Sequence, residues 1–204
     1  YSKNSLIDKD LPEDPFFLFD IWFKEVSSKN SKSEVNAMTL STIGLSGYPN
    51  GRIVLLKYYS HDGFVFFTNY NSNKAVSIDQ NNKVSISFFW EESERQVIIK
   101  GVATKTSDDF STKYFNSRPK GSKLGALVSE NQSSIIKSKD YILKKFNQLS
   151  KEYLNKEILR PKNWGGYIIK PIQYEFWQGG ENRLHDRIRY RKKDDSWIYE
   201  RLSP

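Results

Sequence analysis

The stretch from Glu175 to Arg187 holds the residues whose types and spacing most directly suggest chemistry. It combines a tryptophan and two adjacent glycines with Arg183, His185 and Arg187. If the backbone is extended from Arg183 onward, alternate side chains share a face, and these three cation-capable groups form one row. Such a row suits a ligand that carries phosphate or carboxylate, because arginine presents a rigid fork of N–H groups to these oxygens. A solvated basic edge strand explains the pattern equally well, and charge alone does not decide between the two.

A second pair of cations brackets the apolar run Arg52-Ile53-Val54-Leu55-Leu56-Lys57. Arg52 and Lys57 are an odd number of residues apart, so in a regular strand their side chains point to opposite faces of the sheet. They suit two different anionic groups, unless a β-bulge resets the register. Charges at the two ends of a core strand are the commoner explanation of such a pattern.

Polar side chains also gather where a strand is expected to meet a helix, in the run Phe67-Thr68-Asn69-Tyr70-Asn71-Ser72-Asn73-Lys74. The free N–H groups and the dipole of a helix N-terminus bind phosphate, and a lysine beside them adds charge. Polar turns of this kind are frequent, so this run alone is weak evidence for a phosphate-binding site.

A third polar set lies around a helix end and consists of Tyr114, Arg118 and Ser122. Each of the three also fits an ordinary cap or surface position. Gln96 and the pair Gln132-Ser133 are polar but carry no signal by themselves.

Composition narrows the classes of protein that fit. The chain has 204 residues, 37% of them hydrophobic and 15% aromatic, which suits a single domain with a core rich in Phe and Tyr. The net charge of +8 favours anionic partners such as phosphorylated small molecules or nucleic acid. The lack of cysteine excludes disulfides, thiolate nucleophiles and cysteine-based metal sites, and with only His61 and His185 we expect no metal. No apolar run reaches the roughly 18 residues of a membrane-spanning helix, so no membrane association is expected.

The elements that position the candidate residues are predicted to be mainly strands. Alternating apolar residues between 35 and 104 predict five antiparallel strands joined by short turns, and further strands are expected from 167 to 202. Helices are predicted over 14–28, over 74–81, from Ser107 to Phe115 and around 142–153. The fold class is therefore predominantly β with flanking helices, an antiparallel barrel forming one domain over 1–204, with 1–13 as a tail or lid.

The usual motifs of self-sufficient catalysis are missing: there is no Gly-x-Ser-x-Gly, no Walker loop, no Gly-x-Gly-x-x-Gly and no convincing carboxylate pair. A basic, aromatic-rich barrel of this kind is suited to positioning a cofactor that carries the chemistry. Several runs taken together resemble the pyridoxamine 5′-phosphate oxidase family, and the match extends over nearly the whole chain. The runs are 52–57 (RIVLLK), 66–74 (FFTNYNSNK), 95–97 (RQV), 114–119 (YFNSRP), 121–125 (GSKLG), 164–166 (WGG), 175–180 (EFWQGG) and 183–187 (RLHDR).

The resemblance implies an FMN-binding split β-barrel that works as a homodimer, with FMN at the subunit interface. It implies FMN contacts from Arg52, Ile53, Val54, Leu55, Leu56, Lys57, Phe67, Thr68, Lys74, Gln96, Gln132, Ser133, Trp177 and Arg187. It implies substrate contacts from Lys57, Tyr114, Arg118, Ser122, Arg183, Leu184 and His185, with Arg183 and His185 as the catalytic residues over the reacting carbon.

The implied reaction removes a hydride from pyridoxamine or pyridoxine 5′-phosphate, passes it to the flavin and then to oxygen, and yields pyridoxal 5′-phosphate and hydrogen peroxide, with ammonia also released from the amine substrate. Hydride transfer depends on orientation more than on a strong base, which fits the missing base–nucleophile pair. The implied partners are the second subunit and these small molecules, with no nucleic acid, and the expected location is the cytoplasm.

Three features qualify the resemblance. The family usually has a basic residue where this chain has Asn73, and this chain has one residue more between Ser129 and Gln132, so the placing of Gln132-Ser133 depends on a gap. Tyr1 is similar to a tyrosine of the family's mobile N-terminal lid, and because the chain starts without methionine we expect residues before it.

Two other classes stay open at this point. One is a split-barrel flavin-binding protein without oxidase activity, against which Arg183 and His185 argue. The other is a nucleic-acid-binding barrel, which the positive charge and the aromatic strands would also suit.

Overall fold

The computed structural model describes residue 1, residues 3–29 and residues 34–204, and this part of the chain forms five α-helices and nine β-strands. The helices are α1 (Pro15–Ser28), α2 (Asn73–Gln80), α3 (Asp108–Ser117), α4 (Lys120–Val128) and α5 (Lys139–Glu152). The strands are β1 (Ala37–Ile43), β2 (Pro49–Leu55), β3 (Tyr58–Ser60), β4 (Gly63–Asn69), β5 (Lys83–Trp90), β6 (Arg95–Lys105), β7 (Trp164–Gln178), β8 (Asp186–Lys193) and β9 (Ser196–Leu202). Single turns of 3-10 helix lie at Asp8–Asp10, Glu91–Ser93 and Glu181–Arg183.

Helix α1 begins where its sequence indicates. Asp14 accepts a hydrogen bond from the Phe16 N–H at 2.9 Å, and Pro15 takes the first helical position, where its missing N–H costs nothing. One face of α1 is buried against the sheet and joins the main hydrophobic core through Leu18, Phe19, Trp22 and Val26. The helix is therefore held to the sheet by this apolar face.

All strand pairs are antiparallel, and their order is β2-β1-β5-β6-β7-β4-β3, with β8 and β9 added on β7. Strand β7 pairs with β6 along its length, while its other edge is divided. Residues 164–169 pair with β4, and residues 173–178 pair with β8. The sheet therefore branches at β7, and the prediction of a predominantly β fold with flanking helices is confirmed.

The branch point coincides with a β-bulge. Gly101 pairs with Pro171 and Lys100 with Gln173, so Ile172 is the extra residue. Proline cannot donate to the ladder, and a bulge is one of the few places where a strand accepts it. The neighbouring strand leaves no room for a side chain at position 101, because a Cβ added to Gly101 would lie 2.5 Å from the Lys170 carbonyl oxygen.

A smaller hydrophobic cluster lies beside the barrel, where α3 and α4 pack on the start of β7. Its buried members are Phe115, Leu124, Ala126, Ile158 and Trp164. Helix α4 was absent from the sequence prediction, because Gly121 and Gly125 depress its helix propensity and its stability comes from this packing. Among the residues that the structure describes, no helix is both long and apolar enough to cross a membrane.

Replacing Gly101 with alanine is expected to lower the free energy of unfolding by about 1–3 kcal/mol, because the Cβ must displace backbone of β7. Gly121→Ala is the matched control. An added Cβ there meets no described atom within 4 Å, so better helix propensity should raise stability by up to about 1 kcal/mol. Urea unfolding of both variants measures the difference. Equal effects of the two substitutions would contradict the close approach at the bulge.

Candidate active site

A pocket of about 630 Å³ lies between the barrel wall and the α3–α4 pair. Strands β2 and β4 and the first turn of α2 form one side, and α3, α4 and Trp164 form the other. The pocket brings together eleven residues expected from the resemblance to bind cofactor or substrate: Ile53, Val54, Leu55, Lys57, Phe67, Thr68, Lys74, Tyr114, Arg118, Ser122 and Gln132. Residues far apart in sequence thus share one cavity.

The charged side chains that line this pocket are all positive. Lys57, Lys74 and Arg118 line it, and none of the described lining residues is Asp or Glu. Cations without carboxylate partners are costly to hold in a half-buried place. The arrangement is therefore suited to an anion that arrives from outside the chain.

Lys74 lies in the first turn of α2, at one end of the pocket. Its Nζ donates to Thr68 Oγ1 at 3.2 Å and to Gln132 Oε1 at 3.3 Å. Burial lowers the pKa of Lys74, and the nearby positive charge of Arg52 lowers that pKa further. The Ser133 hydroxyl lies over the same helix end, where it accepts from the Asn73 N–H at 3.3 Å. This end of the pocket combines a lysine, a helix N-terminus and two hydroxyls, which is a donor set for phosphate.

Arg118 follows α3 at the other end of the pocket. Its guanidinium lies over the rings of Trp164, at 4.7 Å from the centroid, and Phe115, at 5.7 Å. Its Nη1 atom is buried and has no hydrogen-bond partner in the described structure. Burial lowers the pKa of Arg118, although the group stays cationic. A buried donor without an acceptor costs about 1–3 kcal/mol, so this atom indicates a missing anionic ligand.

Stacked aromatic rings form part of the pocket wall beside Arg118. The Phe67 ring stacks on Tyr114 with centroids 3.9 Å apart and on Trp164 with centroids 5.4 Å apart. Burial is the main cause that raises the pKa of Tyr114, so its hydroxyl stays protonated and can donate. The stack holds the Tyr114 side chain in place and keeps α3 at a fixed distance from β4.

Six other expected residues lie in a second region, at the far end of β7: Gln96, Trp177, Arg183, Leu184, His185 and Arg187. Gln96 pairs with Trp177 across β6 and β7, and Trp177 pairs with Arg187 across β7 and β8. The His185 ring lies 4.8 Å from the Trp177 ring, and the Tyr1 ring makes edge contacts with both.

A second pocket, of about 590 Å³, opens there and is lined by Tyr1, Gly180, Glu181, Asn182, Arg183 and His185. Within the described residues the two pockets share no lining residue. The expected site is therefore divided into two half-sites in one chain.

The predicted row of Arg183, His185 and Arg187 is wrong. Residues Glu181–Arg183 form a turn in which Asn182 and Arg183 have positive φ of 52° and 65°, and β8 begins only at Asp186. The backbone is thus not extended through 183–185. Leu184 is 72% exposed at this turn. The alternative of a basic edge strand is also wrong, since β8 pairs on both sides.

Arg187 is occupied within its own chain. Its Nη2 and Nε bond Glu175 Oε1 at 2.7 and 3.0 Å, and its Nη1 donates to the Ser203 carbonyl at 2.9 Å. His185 Nδ1 accepts the Gly180 N–H at 3.1 Å. A neutral His185 therefore carries its proton on Nε2 and presents a donor outward.

Two members of the apolar run do not line the first pocket. Arg52 directs Nη1 to the Leu40 carbonyl, Thr42 Oγ1 and the Asn50 carbonyl at 2.8–3.1 Å. Leu56 is only 4% exposed and belongs to the hydrophobic core. Lys57 follows the end of β2, so strand alternation no longer applies, and its exposed side chain reaches the pocket.

Six residues of the pocket lining were not named as cofactor or substrate contacts, although Asn69 lies in the polar run 67–74: Asn69, Pro119, Gly125, Ala126, Ser129 and Trp164. Most of them lie on or beside α4, the helix that was not predicted. Asn69 carried a usable signal, because it is the last residue of a strand that runs into a helix N-terminus.

Two family models and several full-length relatives match this chain. Residues 28–152 match the family described as "Pyridoxamine 5′-phosphate oxidase", and residues 164–204 match "Pyridoxine 5′-phosphate oxidase C-terminal dimerisation region". The pyridoxine/pyridoxamine 5′-phosphate oxidase of Flavobacterium johnsoniae is 55% identical over 204 residues, which cover 100% of this chain and 95% of the relative. That of Flavobacterium psychrophilum is 53% identical over 205 residues, with the same coverage.

Solved structures support the fold. PhzG from Burkholderia lata, solved with tetrahydrophenazine-1-carboxylic acid, has a TM-score of 0.91 at 23% identity and covers 100% of both chains. A pyridoxamine 5′-phosphate oxidase-related, FMN-binding protein from Nostoc punctiforme has a TM-score of 0.73 at 16% identity, over 95% of this chain and 100% of the other. The split-barrel prediction is confirmed by these likenesses.

Lys74→Met is expected to raise the free energy of unfolding of the ligand-free protein at neutral pH. Burial holds the folded-state pKa of Lys74 below its ordinary 10.5, so the charged form destabilises the fold. Between the folded and the ordinary pKa the unfolded chain binds more protons, and the wild type gains stability as pH rises. The advantage of the variant should therefore shrink as pH approaches 10.5.

Urea unfolding at neutral and alkaline pH measures this effect, with Lys113→Met, at an exposed position of α3, as the control. A Lys74→Met protein less stable than the wild type at neutral pH would mean that the bonds to Thr68 and Gln132 outweigh desolvation.

Proposed function

This chain belongs to the pyridoxamine 5′-phosphate oxidase family, and we propose that it is an FMN-dependent oxidase that converts pyridoxamine or pyridoxine 5′-phosphate to pyridoxal 5′-phosphate. The observation that carries the proposal is the acid-free cationic pocket with the unpartnered Arg118 Nη1. Two phosphorylated ligands are required by this reaction, and the pocket has a separate donor set at each end.

The residues at the α2 end fit the FMN phosphate. Lys74 supplies the charge, and Gln132 and Ser133 supply further polar groups beside the N-terminus of α2, whose dipole favours an anion. Asn73 is exposed at the first position of α2 and brings no charge of its own. Thr68 and the apolar residues of β2 form the adjoining wall, where a flat ring system would lie against strand backbone.

The residues at the α3–α4 end fit the substrate phosphate. Arg118 offers an unpaired guanidinium N–H, Tyr114 a protonated hydroxyl and Ser122 a second hydroxyl. Lys57 lies between the two ends, where it can contact either ligand. The aromatic stack around Phe67 holds these groups in place before a ligand arrives, which reduces the entropy lost on binding.

When bound, FMN would supply the two-electron acceptor for oxidation of the carbon that bears the amine or hydroxyl group, with oxygen reduced to hydrogen peroxide and, for the amine substrate, water consumed and ammonia released. The chain's own residues would bind and orient the substrate. His185 is suited to donating from Nε2, because its Nδ1 already accepts the Gly180 N–H. We therefore assign His185 and Arg183 to orienting and polarising the substrate and not to abstracting a proton.

A homodimer follows from the divided site. The region 164–204, which matches a dimerisation region, carries Trp177, Arg183 and His185. We propose that this half-site of one subunit completes the pocket of the other. In such an assembly Arg187 would have to reach FMN while bonded to Glu175, so the flavin contact implied for it requires that pair to be shared or broken. The cysteine-free composition is compatible with the cytoplasmic location that the resemblance implies.

The proposal is tested by purifying the protein, recording its flavin absorbance and measuring peroxide after adding pyridoxine 5′-phosphate. Unphosphorylated pyridoxine is the matched control, because it lacks only the group that Arg118 is expected to bind. Colourless protein that takes up no FMN would refute the proposal. Flavin-loaded protein that releases no peroxide would instead support a flavin-binding protein without oxidase activity.

Arg118→Ala is expected to lower kcat/KM for pyridoxine 5′-phosphate by about tenfold to a hundredfold, the scale of one hydrogen bond to a charged group. FMN affinity should be nearly unchanged, because Arg118 lies at the opposite end of the pocket from Lys74. Steady-state kinetics and flavin titration check both parts, with Lys113→Ala as a control for loss of charge on α3. A loss of FMN with unchanged KM would assign Arg118 to the cofactor.

Substitutions at Arg183 and His185 should lower kcat and not merely raise KM, since both residues are placed over the reacting carbon. His185→Asn keeps an acceptor for Gly180 and removes the outer N–H, whereas His185→Gln retains a donor farther out. We expect kcat to fall by about tenfold or more in His185→Asn and Arg183→Gln, and less in His185→Gln. A pH–rate profile in which the fall in rate at low pH disappears with His185 would restore a proton-abstracting role.

A further inference from the structure

The segment 129–134 connects α4 to the approach of α5 and carries both Gln132 and Ser133. Residues 130–134 are exposed, and no helix or strand includes them. An exposed loop of this kind does not hold two side chains in a fixed place through core packing. Its position over α2 must come from specific hydrogen bonds.

Those bonds converge on one atom, the Glu130 carbonyl oxygen. It accepts from the side-chain amides of Asn69 at 3.0 Å, Asn71 at 3.2 Å and Asn163 at 2.7 Å. Asn69 Nδ2 also donates to the Ser129 carbonyl at 2.6 Å. Two of the amides come from the turn between β4 and α2, and the third comes from the residue before β7.

The three asparagines are themselves tied together. The Tyr70 N–H donates to the Asn163 carbonyl at 2.6 Å, and the Asn71 N–H donates to Asn69 Oδ1 at 2.7 Å. Asn69 is 4% exposed at the end of β4, which makes it the rigid member of the group. The turn before α2 and the loop after α4 are thereby joined as one unit.

The loop beyond this anchor is strained. Ser133 has a φ of 76°, in the left-handed region that costs a non-glycine residue about 1 kcal/mol or more. The adjacent turn is closed by the Ser134 N–H, which donates to the Asn131 carbonyl at 3.1 Å. Strain of this kind persists only where surrounding contacts hold it. Here it brings the Ser133 hydroxyl to the Asn73 N–H and Gln132 to Lys74.

We propose that Asn71 and Asn163, acting with the buried Asn69, are positioning residues that hold the 129–134 loop over the N-terminus of α2 and thereby set the affinity for FMN. The inference rests on the proposed function, because it takes FMN as the ligand at this end of the pocket. None of the three amides needs to touch the cofactor. Their role is to place Gln132 and Ser133, which do.

Four variants test the proposal: Asn71→Ala, Asn163→Ala, the double variant, and Asn163→Asp, which keeps the shape but directs an oxygen at the Glu130 carbonyl. Asn69 is left intact to preserve the fold. Asn147→Ala, at an exposed position on α5, is the matched control. The measurements are hydrogen exchange of residues 130–134 in the FMN-free protein, the Kd for FMN, and kcat at saturating FMN.

Each single alanine variant is expected to raise the Kd for FMN about threefold to tenfold, the equivalent of one neutral hydrogen bond. The double variant and Asn163→Asp should raise it further, and exchange in 130–134 should accelerate in step. At saturating FMN, kcat should match the wild type, since the substituted residues do not line the pocket and the residues assigned to the substrate are unchanged. A merely structural role would lower kcat and thermal stability together.

Unchanged exchange in the double variant would overturn the anchoring, and faster exchange with an unchanged Kd would overturn its link to FMN. A fall in kcat that saturating FMN does not restore would also overturn it. A wild-type protein that binds no FMN would refute the proposed function and this inference with it. Titration of the wild-type protein with FMN tests the proposed function by itself. The positioning role is tested by comparing the Kd for FMN and the hydrogen exchange of the variants with those of the wild type.

Discussion

The constraint on which the rest of the molecule depends is the length and branching of β7. This strand starts at Trp164, in the wall of the first pocket, and ends at Gln178, beside Trp177 in the second half-site. The thirteen steps from Trp164 to Trp177 correspond to about 40 Å of extended chain. One strand cannot bring both of its ends to the same ligand. A second copy of the chain, placed so that its β7 end meets the first pocket, is the simplest way to unite residues that the proposed reaction requires together.

The distribution of charge follows the same division. Away from the pocket, half-buried arginines have partners: Arg95 bonds Gln178 at 2.9 Å and pairs with Glu25, and Arg189 bonds Glu200 at 2.6 Å. In the pocket, Arg118 and Lys74 have rings, hydroxyls and an amide as neighbours, and no described carboxylate lines the cavity. Arginines outside the pocket are thus paired with carboxylates, whereas Arg118 and Lys74 in the pocket are left without carboxylate partners and can bind an anion. Such unpaired cations are expected to lower the free energy of unfolding of the ligand-free protein, as is common where binding residues are not optimised for stability.

Sequence reasoning recovered most of the framework because its signals are local. Asp14-Pro15 starts α1, and alternating apolar residues mark the strands of the barrel. It failed where local preference and tertiary structure disagree. Helix α4 contains two glycines and depends on packing against Trp164. The turn at 181–183 follows Gly179-Gly180, but its left-handed residues are Asn182 and Arg183, and arginine is not a residue type that marks such a turn.

The candidate site shows the same limit. Its residues were named from a resemblance that extends over many short runs, and the residue types were consistent with phosphate binding. What the sequence could not provide is which cations are already paired. The bond between Arg187 and Glu175 depends on the register of β7 against β8, and the convergence of three asparagines on one carbonyl depends on contacts 33 to 61 residues apart in the chain. Such pairings are properties of the fold and have no local signature.

The state of His185 shows how the fold decides a chemical role. An isolated histidine near a reacting carbon is equally suited to removing a proton and to donating one. Here the turn at 181–183 brings the Gly180 N–H to Nδ1, and this bond leaves Nε2 as the outward nitrogen that carries the proton in the neutral ring. For the proposed reaction, a donor at that position can orient and polarise the oxygen or nitrogen on the reacting carbon. The same backbone turn that broke the expected row of cations therefore fixes which nitrogen of His185 faces outward, and the role proposed for His185 depends on that nitrogen.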